Sequence, residues 1–322
     1  MHNYPPIQRF LHQIVLSSKI FKKTCFEFEK KIFLGDKYSL SDNHVFITGL
    51  ARSGTTVLLN SIYESDKFAS LTYRDMPFVL APNYWSKINF NPKNDKLFKR
   101  MHDDGLLISY NSPEAFEEVF WKTFSDKNKK LKTEFISYIK LILLKNKKSR
   151  YLSKNNQNVN RIGKIQNYLP NSKIFILFRY PLDQAYSLLC QHDRFLNIHK
   201  KNNFIRNYMK WIGHSEFGMD YSPIVSKNLK HKNYLKINHW LEQWKYLYQE
   251  LLQSRFKDNL YFICYEKLCN ERLIWSKIQS LLGINNSVNF VKKEKNINLK
   301  YDINLNKSCL EIYNRLVNKH SI

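Results

Sequence analysis

The segment Gly49-Leu-Ala-Arg52-Ser53-Gly54-Thr55-Thr56 sets two glycines with four residues between them, the spacing of a phosphate-holding turn between a strand and a helix. Apolar Val45 to Thr48 precede it, and Thr55 to Tyr63 reads as a helix. Backbone N–H groups at the start of such a helix point at an anion, and the helix end adds about half a positive charge. In an enzyme that works on ATP or GTP, the position of Thr55 carries a lysine that reaches the β- and γ-phosphates. Here the cation is Arg52, inside the turn itself. The loop therefore reads as the holder of a diphosphate-like group, without the full triphosphate-and-magnesium apparatus. A phosphosulfate fits that description, because a sulfuryl group carries less negative charge than a γ-phosphoryl group. Its transfer needs less neutralisation and no obligatory metal. The plain alternative, an ordinary turn before a helix, is weighed down by the strand, the glycine spacing and the helix occurring together.

A second chemical signal follows the apolar run Lys173 to Phe178, in Arg179-Tyr180-Pro181-Leu182-Asp183-Gln184-Ala185-Tyr186-Ser187. Arg179 stands just past a strand end, where a guanidinium reaches the same crevice and grips a phosphate with two parallel hydrogen bonds. Pro181 makes the turn, and Asp183 reads as the cap or first-turn acid of the helix that carries Ser187.

Together, Arg52-Ser-Gly-Thr-Thr56 and Arg179-x-Pro-x-Asp-x-x-x-Ser187 resemble the two nucleotide motifs of sulfotransferases that use 3′-phosphoadenylyl sulfate (PAPS). The resemblance implies that Arg52, Ser53, Gly54, Thr55 and Thr56 surround the 5′-phosphosulfate, with Arg179 and Ser187 on the 3′-phosphate. Arg-Tyr-Pro stands where that family usually has Arg-Asp-Pro or Arg-Asn-Pro. Tyr265-Glu-Lys-Leu268 is similar to the family's Tyr-Glu-Asp-Leu, whose tyrosine lies near the adenine. Tyr151-Leu-Ser-Lys154 is similar to a Lys-Thr-Pro segment whose lysine lies near the transferred group, with Asn155-Asn156 departing from it. These echoes span residues 44 to 268.

The resemblance implies PAPS as donor, adenosine 3′,5′-bisphosphate as product, no required metal, and in-line transfer to an acceptor hydroxyl or amine. Arg52 and Lys154 then stabilise the charge on the leaving phosphate. The acceptor's proton needs a base. The candidates are Asp75, in Thr72-Tyr-Arg-Asp-Met-Pro77, and His102, in Met-His-Asp-Asp-Gly105, with Glu114 and Glu117 behind them. A histidine with its ordinary pKa of about 6.5 suits the task. Asp75 is equally readable as the ion-pair partner of Arg74 or of another structural cation.

Positioning these turns at one rim requires a particular set of elements. Strands are expected at Val45–Thr48, Tyr151–Ser153, Lys173–Phe178 and Leu260–Cys264. Helices are expected at Thr55–Tyr63, Val159–Leu169, through Tyr186–His192, at Trp240–Leu252 and at Glu271–Leu282, and residues 7–34 also look helical. Ser112-Pro113-Glu114 reads as a helix start with a serine cap, and Phe116, Val119, Phe120 and Phe124 as the core face behind it. The alternation of strand and helix predicts an α/β, three-layer P-loop-type fold, an open and mainly parallel sheet with helices on both faces. Ligands then bind at the carboxyl ends of its strands.

No repeat or low-complexity linker interrupts the 322 residues, and there are only 8 glycines. One domain is expected, with an N-terminal helical extension over about 1–40, a nucleotide-binding core over about 44–285 and a C-terminal helical segment over about 286–322. Hydrophobic residues at 43% and aromatics at 15% furnish a core and exclude a disordered chain. No apolar run approaches the roughly 20 residues of a membrane span, and the start of the chain lacks a signal-peptide pattern. Five scattered cysteines without CxxC spacing argue against a disulfide framework or zinc site and for the reducing cytoplasm.

The net charge of +25 is spread along the whole length and reads first as a solvated basic surface. No recognition motif accompanies it, so a nucleic-acid partner is not expected. Peripheral contact with a membrane remains open. The composition suggests a bacterial enzyme, for which analogy points to a glycan acceptor, with small-molecule, lipid and tyrosyl acceptors also open. Two rival readings are a P-loop nucleotide kinase, disfavoured by Thr55, and a non-catalytic basic protein that binds polyanions.

Overall fold

The computed structural model describes residues 5–35, 43–88, 96–102, 105–124, 129–226, 229–256, 259–291 and 297–319. Helices α1 (Pro6–Ser17) and α2 (Lys19–Phe33) precede β1 (Val45–Thr48) and α3 (Thr55–Tyr63). A 3-10 turn at Tyr73–Asp75 leads to α4 (Pro82–Ile88), then to an antiparallel ribbon of β2 (Phe98–Lys99) and β3 (Leu107–Ile108). Helices α5 (Glu117–Thr123) and α6 (Leu131–Asn146) run on to β4 (Leu152–Lys154), a 3-10 segment (Asn156–Arg161) and α7 (Ile162–Tyr168). Next come β5 (Lys173–Phe178), α8 (Pro181–Lys201), α9 (Asn203–Ile212) and α10 (Ile237–Gln253). The last elements are β6 (Leu260–Cys264), α11 (Tyr265–Asn270), α12 (Arg272–Leu282) and α13 (Ile303–Lys319).

Strands β4, β1, β5 and β6 lie side by side in that order, all parallel. Their side chains alternate between two apolar layers, as strands covered on both faces require. Val45, Ile47, Phe175, Leu177 and Ile263 meet Leu58, Leu59 and Ile62 of α3 and Ile274, Trp275 and Ile278 of α12. Phe46, Ile174, Ile176, Phe178 and Phe262 face the other way, in the core that holds Phe120, Phe135, Trp244 and Tyr248. The result is the expected α/β architecture, a parallel sheet between two helical layers.

Several local expectations are refined or corrected. Residues 7–34 are helical as expected, in two helices, because Ser18 leaves helical geometry (φ −87°, ψ 118°) and its hydroxyl accepts the Phe21 N–H at 3.1 Å. The Lys22 ammonium donates to the Leu16 carbonyl at 2.8 Å, satisfying an orphan acceptor at the end of α1. Ser112-Pro113-Glu114 does not open a helix. Pro113 bridges Thr72 in antiparallel fashion and the Glu114 N–H donates to the Leu71 carbonyl, so α5 begins only at Glu117. Phe116, Val119, Phe120 and Phe124 are nonetheless buried core. The helix expected from Val159 begins as a 3-10 segment whose N-cap, Asn155, accepts the Gln157 N–H, and turns α-helical only at Ile162.

Gly49 joins β1 to the turn at φ 137°, and a Cβ there would lie 2.3 Å from the Leu177 carbonyl oxygen of β5. Gly49→Ala is expected to cost about 3 kcal/mol or more, from backbone strain and a clash with backbone that cannot yield. Chemical denaturation measures this, and an unchanged midpoint would show that the turn does not lie against β5.

Candidate active site

The turn after β1 is braced from inside the fold. Gly49, Arg52 and Gly54 all have positive φ (137°, 69° and 92°), so a non-glycine residue, Arg52, sits in left-handed backbone. The Ser53 hydroxyl donates to the Leu50 carbonyl at 2.8 Å, and the Gln184 amide of α8 donates to the Leu50 and Ala51 carbonyls at 3.0 and 2.9 Å. From α10, the Tyr248 hydroxyl accepts the Leu50 N–H and donates to the Leu177 carbonyl. The loop's carbonyls thus point into the protein, and the first N–H groups of α3 lack helical partners by construction.

Two motifs separated by 135 residues touch here: the Arg52 Nε donates to the Ser187 hydroxyl at 3.1 Å. Arg179 lies just past β5, with its guanidinium 5.0 Å from the Tyr265 ring centre. Its ion pairs, to Asp183 at 3.7 Å and Glu266 at 3.9 Å, are long. The buried Arg179 Nε has no hydrogen-bond partner among the described residues, a donor arrangement that suits an incoming anion. A cavity of about 310 Å³ has Arg52, Gly54, Thr55, Thr56, Arg179 and Tyr265 in its wall. The Tyr265 ring lies only 2.4 Å from where a Cβ on Gly54 would stand, so glycine alone fits beside it. Ser53 and Ser187 do not line the cavity; the first braces the turn and the second holds Arg52 from behind.

On the other side of the same loop is a smaller cavity of about 40 Å³. Arg52, Thr55 and Thr56 line it too, together with Lys154, His102 and Glu114. Lys154 is placed by sheet register: it ends β4 opposite Ile47 of β1, and the Thr48 hydroxyl donates to the next carbonyl, that of Asn155, at 2.9 Å. The departing residues Asn155 and Asn156 are held by their neighbours. Asn155 donates to Glu118 at 2.8 Å, and the Asn156 side-chain oxygen lies 3.5 Å from the Thr55 hydroxyl.

Glu114 accepts from Arg100 and from the Tyr73 hydroxyl, each at 2.7 Å, with the Lys154 ammonium 4.0 Å away. Burial pushes its carboxyl up, but Arg100 and then Lys154 outweigh that and hold it well below the usual carboxylate range. His102 is held well below its ordinary value by burial and then by the Arg100 charge, so its imidazole is neutral. His214 also lines the cavity, with Nε2 at 3.1 Å from the Ala115 carbonyl. A carbonyl only accepts, so Nε2 carries the hydrogen and Nδ1 is the basic nitrogen.

Asp75 does not line either cavity. One carboxylate oxygen accepts the Thr72 N–H and hydroxyl at 2.8 and 3.1 Å, and the other pairs with Lys145 at 2.6 Å. The expectation of a base at Asp75 gives way to a structural acid whose cation is Lys145, not Arg74, whose Nε binds Asn111 instead. Glu117 is likewise occupied, by Trp121, Tyr151 and Asn158. Sequence reasoning missed Arg100 and His214. Neither had a local signal: His214 merely follows Gly213, the left-handed cap that ends α9, and Arg100 follows a two-residue strand.

A model of the sulfotransferase family matches residues 44–284. Among solved structures, the sulfotransferase STF1 from Mycobacterium tuberculosis H37Rv aligns with a TM-score of 0.50 at 11% identity, covering 86% of this chain and 77% of that one. The sulfotransferase STF9 from Mycobacterium avium aligns at 0.48 and 12% identity, over 98% of this chain and 78% of its own. A sulfotransferase from Alicyclobacillus acidocaldarius aligns at 0.39 and 12%, over 85% and 92%. A search of curated protein sequences gave no match. At such identities structural likeness speaks of fold alone; membership rests on the family match, which covers most of the chain and includes both arginine-bearing turns and Lys154. The chain belongs to the sulfotransferase family.

Proposed function

We propose that this chain is a PAPS-dependent sulfotransferase acting on an acceptor hydroxyl. The observation that carries the reading is the convergence of Arg52 and Arg179 on one cavity, with Arg52 in contact with Ser187. The donor set fits a nucleotide with anions at both ends. Arg52, Gly54, Thr55, Thr56 and the start of α3 suit a 5′-phosphosulfate. Arg179, whose Nε has no hydrogen-bond partner among the described residues, suits a 3′-phosphate, and the Tyr265 ring offers a face for a base. When bound, PAPS supplies the sulfuryl group on a phosphate leaving group.

This chain's residues orient and neutralise. Arg52 faces both cavities, so it reaches the leaving phosphate from the acceptor side as well, where Lys154 adds a second positive charge. His102 takes the acceptor's proton on grounds of position: it lines the acceptor-side cavity, burial and Arg100 make it a weaker base than a free imidazole, and the adjacent Glu114 carboxylate, itself tied to Arg100 and Tyr73, favours the protonated form. The polar side chains of Asn156 and Glu216 on the same wall suit an acceptor with several hydroxyls, such as a sugar.

Incubation with isotopically labelled PAPS and a lysate's glycans and metabolites, read by mass spectrometry, is expected to transfer label to a hydroxyl compound. By calorimetry, adenosine 3′,5′-bisphosphate should bind the wild-type chain and lose about 10- to 100-fold in affinity in Arg52→Ala or Arg179→Ala. A chain that prefers ATP–magnesium to the bisphosphate sinks the reading.

His102→Ala is expected to lower kcat by about 10²- to 10⁴-fold with nucleotide affinity retained. Asp75→Asn should keep kcat in the folded protein while losing about 1–3 kcal/mol of stability, because the Lys145 ammonium is left without its carboxylate. Loss of kcat in a fully folded Asp75→Asn protein would return the base to Asp75.

A further inference from the structure

Half of the large apolar side chains that the described residues expose lie on α1, α2 and α4, none of which lines the nucleotide cavity. On α1, Ile7, Phe10 and Ile14 are 81%, 64% and 41% exposed. Their spacing of i, i+3 and i+7 puts them on one stripe. The opposite side of α1 is accounted for: Val15 and Leu16 are buried, and His12 packs on Tyr208 of α9 at 5.8 Å. On α2, Phe21, Phe28 and Ile32 recur at i, i+7 and i+11 and are exposed, while Phe26 and Glu29 are fully buried behind them. Phe28 touches Tyr84 of α4 at 5.9 Å, so this second stripe continues onto the exposed Tyr84 and Ile88.

The positions of the two stripes are fixed. Lys22 and Ser18 lock the corner between α1 and α2. Buried Glu29 accepts the N–H groups of Asn83 and Tyr84, pinning α4 beside α2. The cations beside the second stripe are Lys31, exposed on α2 next to Ile32, and Lys87, exposed on α4 between Tyr84 and Ile88 with its ammonium 4.7 Å from the Phe33 ring centre; the exposed acid of α2, Glu27, is ion-paired with Lys30 at 3.0 Å.

We propose that this face docks the protein on an anionic phospholipid surface, the apolar stripes entering the boundary between headgroups and acyl chains and the lysines meeting lipid phosphates. Exposed aromatic and aliphatic stripes bordered by lysine are what a helix lying in a membrane interface requires. A second copy of the chain is a poor occupant, since pairing two molecules of charge +25 through lysine-flanked faces sets like charges together. A free polyanion is a poor one too, as it leaves the apolar stripes exposed to water. None of the described helices is long and apolar enough to cross a membrane, so the contact is one of lying on the surface.

The test uses the full chain with vesicles of phosphatidylcholine alone and with added phosphatidylglycerol. Co-sedimentation is expected with the anionic vesicles, falling about tenfold or more in Phe10→Glu/Phe28→Glu and, separately, in Lys31→Gln/Lys87→Gln. Thermal midpoints of the variants establish that they are folded. Hydrogen exchange on the wild-type chain gives a reading that needs no variant: anionic vesicles should slow exchange in α1, α2 and α4 and leave α12 unchanged. The proposal is overturned by absent binding to anionic vesicles or by equal binding of the folded Glu variant. Vesicle protection confined to other helices overturns it too, as does a solution dimer that Phe10→Glu/Phe28→Glu dissolves.

Discussion

The parallel pairing of β1 between β4 and β5 is the constraint from which the site follows. It stops three strand ends at one rim, so that the turn after Thr48, the lysine ending β4 and the arginine following β5 emerge side by side. A slip of one residue would turn every strand side chain to the opposite layer. Phe175 and Leu177 would then leave the layer built with α3, and Ile174 and Ile176 the larger core. The register is held by packing on both faces and by polar clamps at the rim. The Trp244 indole of α10 donates to the Arg179 carbonyl and to Gln184, and Gln184 in turn holds the turn after β1. One ring and one amide therefore tie the two arginine-bearing turns to a common support.

The charges are arranged around that rim with a division of labour. Glu29, Asp75, Glu117 and Glu118 are buried and each satisfies backbone or side-chain donors, as buried carboxylates must. Glu118 also holds Arg161 through both oxygens, at 2.7 and 2.8 Å. With these acids committed inside, the outer surface is more basic than the formal balance of 52 cations against 27 anions conveys. At the rim itself the cations are buried as well, and each faces a carboxylate: Arg100 and Lys154 face Glu114, and Arg179 faces Asp183 and Glu266. Such pairing keeps strongly basic groups inside the fold without an orphan charge.

The sheet and the two arginine-bearing turns at its rim were legible in the sequence because their signals are local. Glycine spacing, an apolar run such as Lys173–Phe178 and an arginine just beyond it can each be read in a few residues. The smaller cavity was not, because Arg100 reaches Glu114 from the end of a two-residue strand and His214 arrives from the end of α9. Nothing in either stretch announces that meeting. The Ser112 cap misled for a related reason: a cap motif competes with any longer-range pairing of the same backbone, and Thr72 claimed Pro113. Asp75 is a different case. Thr72-x-x-Asp75 is a readable capping box, with the acid returning to the Thr72 N–H. Its structural role lay in the spacing, while position in the chain suggested chemistry.

Arg52, Thr55 and Thr56 belong to the walls of both cavities, so the partition between the two chambers is a single turn of chain. On the proposed reading, donor and acceptor sit in separate chambers and meet across that turn. A compound that fills one chamber then competes with one substrate, and a compound that straddles the partition competes with both.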